Sequence, residues 1–181
     1  MNVDKHSGDG GSTARPGGGV ISKASPEICV LGELDELSCH TGWLATTLPK
    51  SCTGMAEMLL RIQKSIFTLC AVESGAAQST EVAKDTTVAT ADLERWIAEF
   101  DAEIGQGTHF VIPGGHSAAC QAHVCRAVCR RAERVMVALN ESRATDGAPE
   151  QPITYINRLS LFFFTIARVI NSREKIKEER P

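Results

Sequence analysis

Five stretches of this chain repeat apolar residues three and four positions apart; the first four are closed by glycine- or proline-bearing breaks and the last by a charged tail. That periodicity is the signature of helices with one buried face, and it leaves little room for strands. The first stretch, Glu27 to Thr47, sets Leu31, Leu34 and Leu37 on one side, continued by Trp43 and Leu44, and Pro49 stops it. The second opens near Ser51 or Thr53, runs to Glu73, and carries Met55, Leu59, Ile62, Ile66 and Leu69 on one stripe. Val88 to Glu103 follows with Leu93, Trp96, Ile97 and Phe100. A long fourth helix is predicted from Ser117 to Leu139 and a fifth from Thr154 to Ser172. Short connections between helices predict an all-α, five-helix antiparallel bundle. A doubly wound α/β fold is the alternative, and it needs strands that this sequence hardly offers.

The boundaries divide the chain into a flexible, glycine-rich segment (1–26), the bundle (27–172) and a charged tail (173–181) expected to fray. With 181 residues and 43% hydrophobic content, one domain can bury a core without staples. A net charge of −3 gives no reason to expect nucleic acid as a partner. Leu159 to Ile170 is the most apolar run, but it carries Ser160 and Arg168 and falls short of the roughly 20 residues of a membrane span. The N-terminus holds no hydrophobic signal core, so an organelle presequence is expected to be absent or to lie outside this sequence. The seven cysteines form no CxxC pair and no zinc-like grouping with histidines at ligand spacing, which predicts buried free thiols and no protein-built metal cluster.

Three stretches carry chemistry. Ser7-Gly8-Asp9-Gly10-Gly11-Ser12-Thr13 combines glycines that free backbone N–H groups with hydroxyl donors, and Lys23 follows ten residues after Thr13. Such a loop can cradle phosphate, with Asp9 acting through magnesium or orienting the loop; a solvated tail accounts for the composition equally well. Cys125 to Arg134 places Arg126 and Arg130 four apart on one helical face, with Glu133 and Arg134 close to that line and Arg131 pointing elsewhere. Clustered guanidiniums repel one another unless an anion lies between them, and triphosphate suits their planar forks. Pairing with Asp35, Glu36 or Glu133 is the competing reading. Asn157, beside Arg158 at the mouth of the last apolar run, could read a base or sugar edge or simply join helices. Phe110-Val111-Ile112-Pro113-Gly114-Gly115 is either a core plug with a turn or a loop that holds Phe110 at a pocket wall.

Taken together and in order, these pieces resemble the PduO-type ATP:cob(I)alamin adenosyltransferases. The resemblance runs from Ser7 to about Ile170. It is carried by Gly8-Asp9-x-Gly11-Ser12-Thr13, Gly32-x-x-Asp35-Glu36-Leu37-Ser38, Ile112-Pro113-Gly114-Gly115, Arg126-x-x-x-Arg130-Arg131-Ala132-Glu133-Arg134 and Asn157-Arg158-Leu159-Ser160. The Asp-Glu-Leu-Ser form and the Cys125–Arg134 run are similar to the mitochondrial, animal-type members. The resemblance implies a homotrimer with ATP at each subunit interface. Gly8, Asp9, Gly11, Ser12, Thr13 and Lys23 would wrap the phosphates and Mg²⁺, and Glu133, Arg134 and Asn157 would complete the nucleotide pocket. Arg126 and Arg130 would serve catalysis, with Arg126 paired to Asp35 across the interface. Phe110 would stand against the corrin ring and exclude the lower axial ligand of cobalt.

The substrates so implied are ATP and cob(I)alamin, and the partners a cobalamin reductase and an adenosylcobalamin-dependent mutase. The location would be the mitochondrial matrix in a eukaryote or otherwise the cytoplasm. The rivals are a weakly catalytic sensor or cobalamin-delivery chaperone of the same fold, and a helical interaction protein. Three positions depart from the family pattern. Leu161 replaces a frequent aspartate, Leu31 replaces a common tyrosine, and the basic residue often found near Glu27 is absent.

Overall fold

A computed structural model describes residues 8–15, 18–75, 88–105, 110–143 and 151–181. Within them the chain forms a short hairpin, β1 (Ser12–Ala14) and β2 (Val20–Ser22). Five helices follow: α1 (Pro26–Thr47), α2 (Met55–Glu73), α3 (Thr90–Ile104), α4 (Ser117–Ser142) and α5 (Gln151–Arg173). The predicted bundle is therefore found, with boundaries displaced by a few residues. Ser25 caps α1 by accepting from the Ile28 N–H, and Pro26 occupies the first turn, where its missing N–H costs nothing. The imidazole Nδ1 of His116 does the same for α4, accepting from Ala118 N–H at 3.1 Å.

In space the helices neighbour one another in the order α2, α1, α4, α5, α3, so α4 and α5 are central. Their sequences suit that place. The inner surface of α4 is mostly small (Ala118, Ala119, Ala122, Cys125, Cys129, Ala132), letting a neighbour come close. Helix α5 supplies the bulk: Ile156, Leu159, Phe162, Phe163 and Ile166 are fully buried. The Phe162 ring meets Trp96 and Phe100 of α3 at centroid distances of 5.8 and 6.4 Å. By length and hydropathy, Pro152–Arg173 could also cross a membrane, but 61% of that stretch is buried within the bundle, as a core helix requires.

Three expectations need correction. The N-terminal segment is not purely loop, because Ser12, Thr13 and Ala14 pair antiparallel with Ser22, Ile21 and Val20. A strand of three residues is too short to leave an alternating pattern. Trp43 is 58% exposed and stacked beside His40 rather than facing the core; Val30, Leu34, Leu37, Thr41 and Leu44 form the buried face of α1. The charged tail does not fray. Lys175 takes a left-handed conformation (φ 57°), Ile176 N–H donates to the Asn171 carbonyl at 2.8 Å, and the chain folds back along α5. There Glu178 meets Arg168 at 3.2 Å, a cation whose side chain is only 8% exposed. A buried guanidinium needs such a partner, and the tail supplies it.

Candidate active site

The hairpin closes the gap between the glycine loop and Lys23. Gly11 N–H donates to Gly8 O, and Lys23 N–H donates to Gly11 O at 2.9 Å, so the strand pairing returns Lys23 to the start of the loop. Its ammonium lies against Gly8 so closely that a Cβ there would stand 2.7 Å from Nζ. Gly8, Gly11, Ser12, Thr13 and Lys23 thus converge, with Asp9 exposed at the tip. Ser7 lies outside the described residues. Arg15 anchors the hairpin to the bundle through Glu27, at 2.6 Å, and Arg143 at the end of α4 reaches the same carboxylate at 3.1 Å. Glu27 therefore has two basic partners, although neither is its neighbour in sequence.

The arginines of α4 divide sharply. Arg131 donates through Nε to Glu33 at 2.6 Å and through Nη2 to Glu36, both on α1. The hydrogen bond from Arg131 is the chief cause that holds the Glu36 carboxyl below its usual range. Internal pairing thus falls to Arg131. Arg126 is half-buried, and its Nε is sealed from solvent with no hydrogen-bond partner. Arg130 is exposed and forms no ion pair among the described residues. Its carbonyl accepts from Arg134 Nη1 at 2.9 Å, which lays the Arg134 side chain back along the helix.

Asn157 on α5 donates to Glu133 Oε1 at 2.9 Å, so these two predicted residues meet across the α4–α5 contact. Arg158 is drawn the other way, to Glu94 on α3 at 2.8 Å. Leu161, one turn on, lines an α3–α5 groove with Arg158, Glu94 and Ile97. Asp35 is exposed on α1, beside a largely apolar α1–α2 groove of about 370 Å³ lined by Leu31, Leu34, Phe67 and Cys70. Although α1 and α4 are neighbours, no bond joins Asp35 to Arg126 within this chain. Phe110 is 85% exposed and Ile112 52%, which rejects the core-plug reading of that loop.

Two residues near the site escaped the sequence reading. His123, one turn before Arg126, is 4% exposed with Nδ1 unpaired, and its ring meets Phe164 edge-on at 6.1 Å. Burial, with a further contribution from the Arg126 charge, pushes its pKa down to about 4, so the imidazole is neutral. Asn171 is 2% exposed and bonded to both sides of the Gly114-Gly115 turn. A histidine inside an apolar helix and an asparagine near a helix end have no distinctive spacing, and only the packing reveals them. Among the cysteines, Cys52, Cys125 and Cys129 are buried but Cys29, Cys39 and Cys120 are exposed, so the buried-thiol expectation holds for some of the seven. Burial raises the Cys125 thiol to about 12, far from nucleophilic use.

Among the described residues, the small-residue helix α4 carries two guanidiniums without an acidic partner, a glycine hairpin closes on a lysine and an aromatic loop is exposed; the class so defined is an α-helical bundle with cationic and apolar groups on its surface. The comparisons give the family. Residues 3–170 match the cobalamin adenosyltransferase family model. A cobalamin adenosyltransferase of Cupriavidus metallidurans is 38% identical over 169 residues, covering 93% of this chain and 88% of that protein. The corrinoid adenosyltransferase MMAB of Bos taurus is 31% identical, over 92% of this chain and 70% of its own length. A phenylalanine-to-histidine variant of the PduO-type ATP:corrinoid adenosyltransferase of Lactobacillus reuteri, complexed with cobalamin and ATP, superposes with a TM-score of 0.85. It is 25% identical and covers 99% of this chain and 96% of that one. The chain belongs to the cobalamin adenosyltransferase family.

Proposed function

We propose that this protein transfers the 5′-deoxyadenosyl group of ATP to cob(I)alamin, giving adenosylcobalamin and triphosphate. The observation that carries the reading is the division of labour on α4: Arg131 is held by Glu33 and Glu36, whereas Arg126 and Arg130 find no carboxylate among the described residues. A half-buried guanidinium with no carboxylate among the described residues is costly unless an anion meets its accessible end. Asp35, exposed on α1 and in no ion pair among the described residues, is the complementary group. A homotrimer in which Asp35 of the partner subunit meets Arg126 satisfies both.

In this reading Lys23, the Gly8–Thr13 backbone and Arg130 hold the triphosphate, and Glu133, Arg134 and Asn157 complete the pocket. A magnesium ion that enters with ATP keeps most of its shell as water and phosphate oxygen and needs one or two carboxylates, a demand that Asp9 fits. Cobalt(I) supplies the electron pair. The Co–C bond forms as the C5′–O bond breaks, and the pair in that bond leaves on triphosphate. No protein nucleophile is required. What the chain contributes is alignment of C5′ with cobalt and positive charge where the leaving oxygen becomes negative. Phe110 stands against the corrin face and excludes the lower ligand, leaving a four-coordinate Co(II) species that is easier to reduce. The seven unpaired cysteines accord with a reducing compartment, the matrix of a mitochondrion or a bacterial cytoplasm.

The test is an anaerobic assay with ATP, Mg²⁺ and chemically reduced cobalamin. Loss of the cob(I)alamin absorbance with formation of adenosylcobalamin is the expected result. Folded protein that binds ATP without turnover would instead indicate a sensor or delivery chaperone.

A further inference from the structure

Residues 110–116, which begin with Phe110, form no helix or strand, yet an aromatic wedge works only if its backbone is fixed. The structure fixes it from two sides. On one, the buried Asn171 amide spans the turn: its Nδ2 donates to Gly114 O at 3.0 Å, and its Oδ1 accepts the His116 N–H at 3.0 Å. The fit admits no more substance, since a Cβ on Gly115 (φ 97°) would lie 2.2 Å from Asn171 Oδ1. On the other side, Ile112 N–H donates to the Glu179 carbonyl of the folded-back tail at 2.8 Å. That tail is itself held by the bond from Ile176 N–H to the Asn171 carbonyl and by the Glu178–Arg168 pair. Asn171 therefore grips both walls: its side chain holds the Pro113-Gly114-Gly115 turn, and its backbone holds the tail that grips Ile112.

We propose that Asn171 is a positioning residue for corrinoid binding, acting through the Phe110 loop and the 174–181 tail rather than by touching either substrate. The inference rests on the reading of Phe110 given above. It separates two properties that loss of fold would move together. The triphosphate side of the site lies on the hairpin and on α4 beyond Arg126, whereas the amide lies at the start of α4, so ATP binding should be insensitive to it.

The experiment uses the full-length protein and its Asn171→Ser and Asn171→Asp variants. Asn171→Asp keeps an acceptor for His116 N–H and loses the donor to Gly114 O. Each is bound to ATP and then to cob(II)alamin, and the four-coordinate Co(II) signal is read alongside ATP affinity. The expected result for Asn171→Ser is ATP affinity within about twofold of the parent, a four-coordinate signal largely lost, and turnover lowered on the order of tenfold to a hundredfold. Asn171→Asp should fall between the two. A parent protein that gives no four-coordinate signal would overturn the Phe110 reading and this proposal with it. A parent signal that survives Asn171→Ser in folded, ATP-binding protein would overturn only the role of Asn171. Where the variants do not fold, hydrogen exchange of the parent decides. The Ile112 and His116 amides should exchange as slowly as those inside α5, and fast exchange at both would reject the clamp.

Discussion

Arg131 and Arg130 are adjacent on one helix and differ in almost everything else. Arg131 turns toward α1 and is bonded to Glu33 and Glu36, while Arg130 turns outward and finds no carboxylate among the described residues. Arg126, one turn earlier, combines the two conditions: it is half-buried like a structural residue, yet its Nε is unpaired. Residue type, then, says little about role. Orientation relative to the carboxylates of α1 decides which guanidinium serves the fold and which is left to meet an anion from outside.

The largest effect that would break this contrast is on turnover. Arg130→Ala should lower adenosyl transfer about 100-fold or more, the cost of removing one donor at a developing oxyanion, with little change in melting temperature. Near-normal kinetics would remove Arg130 from the site. Next comes the ground beneath Arg126. His123 has its pKa depressed to about 4, whereas the ordinary value is 6.5. Between those two values the unfolded chain binds a proton that the folded chain refuses. Stability should therefore fall as pH drops from about 6.5 towards 4, by up to about 3 kcal/mol in all. Thermal melts of the parent against His123→Phe across that window test it, because the variant should lose that part of the slope.

A smaller effect is expected at the partnership proposed for Arg126. Asp35→Asn should weaken subunit association or catalysis while leaving the monomer fold intact, since Asp35 is exposed in the single chain. Sedimentation and kinetics that are both unchanged would dismiss the pair. Smallest is Arg131→Ala. Its ion pairs are partly exposed, so the loss should be about 1 kcal/mol or less, with turnover within a few-fold of the parent. A collapse of activity at Arg131 as large as at Arg130 would erase the distinction between them.

Two of the family departures gain a physical setting. Near Glu27, where the basic residue is absent, the carboxylate is met by Arg15 from the hairpin and by Arg143 at the end of α4. Leu161 lines the α3–α5 groove beside Arg158, whose guanidinium is paired with Glu94 of α3. Both sets of contacts are long-range, so neither could be found by inspecting the neighbouring sequence.

The sequence by itself determined the five helices, most of their buried stripes and the order of the chemical motifs. Helical periodicity is local, and each stripe from Met55 to Leu69 or from Leu93 to Phe100 announces its own face. The tertiary structure decided what depends on partners distant in the chain. It turned Trp43 outward, closed Lys23 onto Gly8 through a hairpin too short to show a pattern, and folded the tail back to pair Glu178 with Arg168. It also separated Arg131 from Arg126 and Arg130, and it set Asn171 behind the Phe110 loop. A periodic pattern records which side of an element is buried; which charge meets which, and which amide holds which turn, is fixed only when the elements pack.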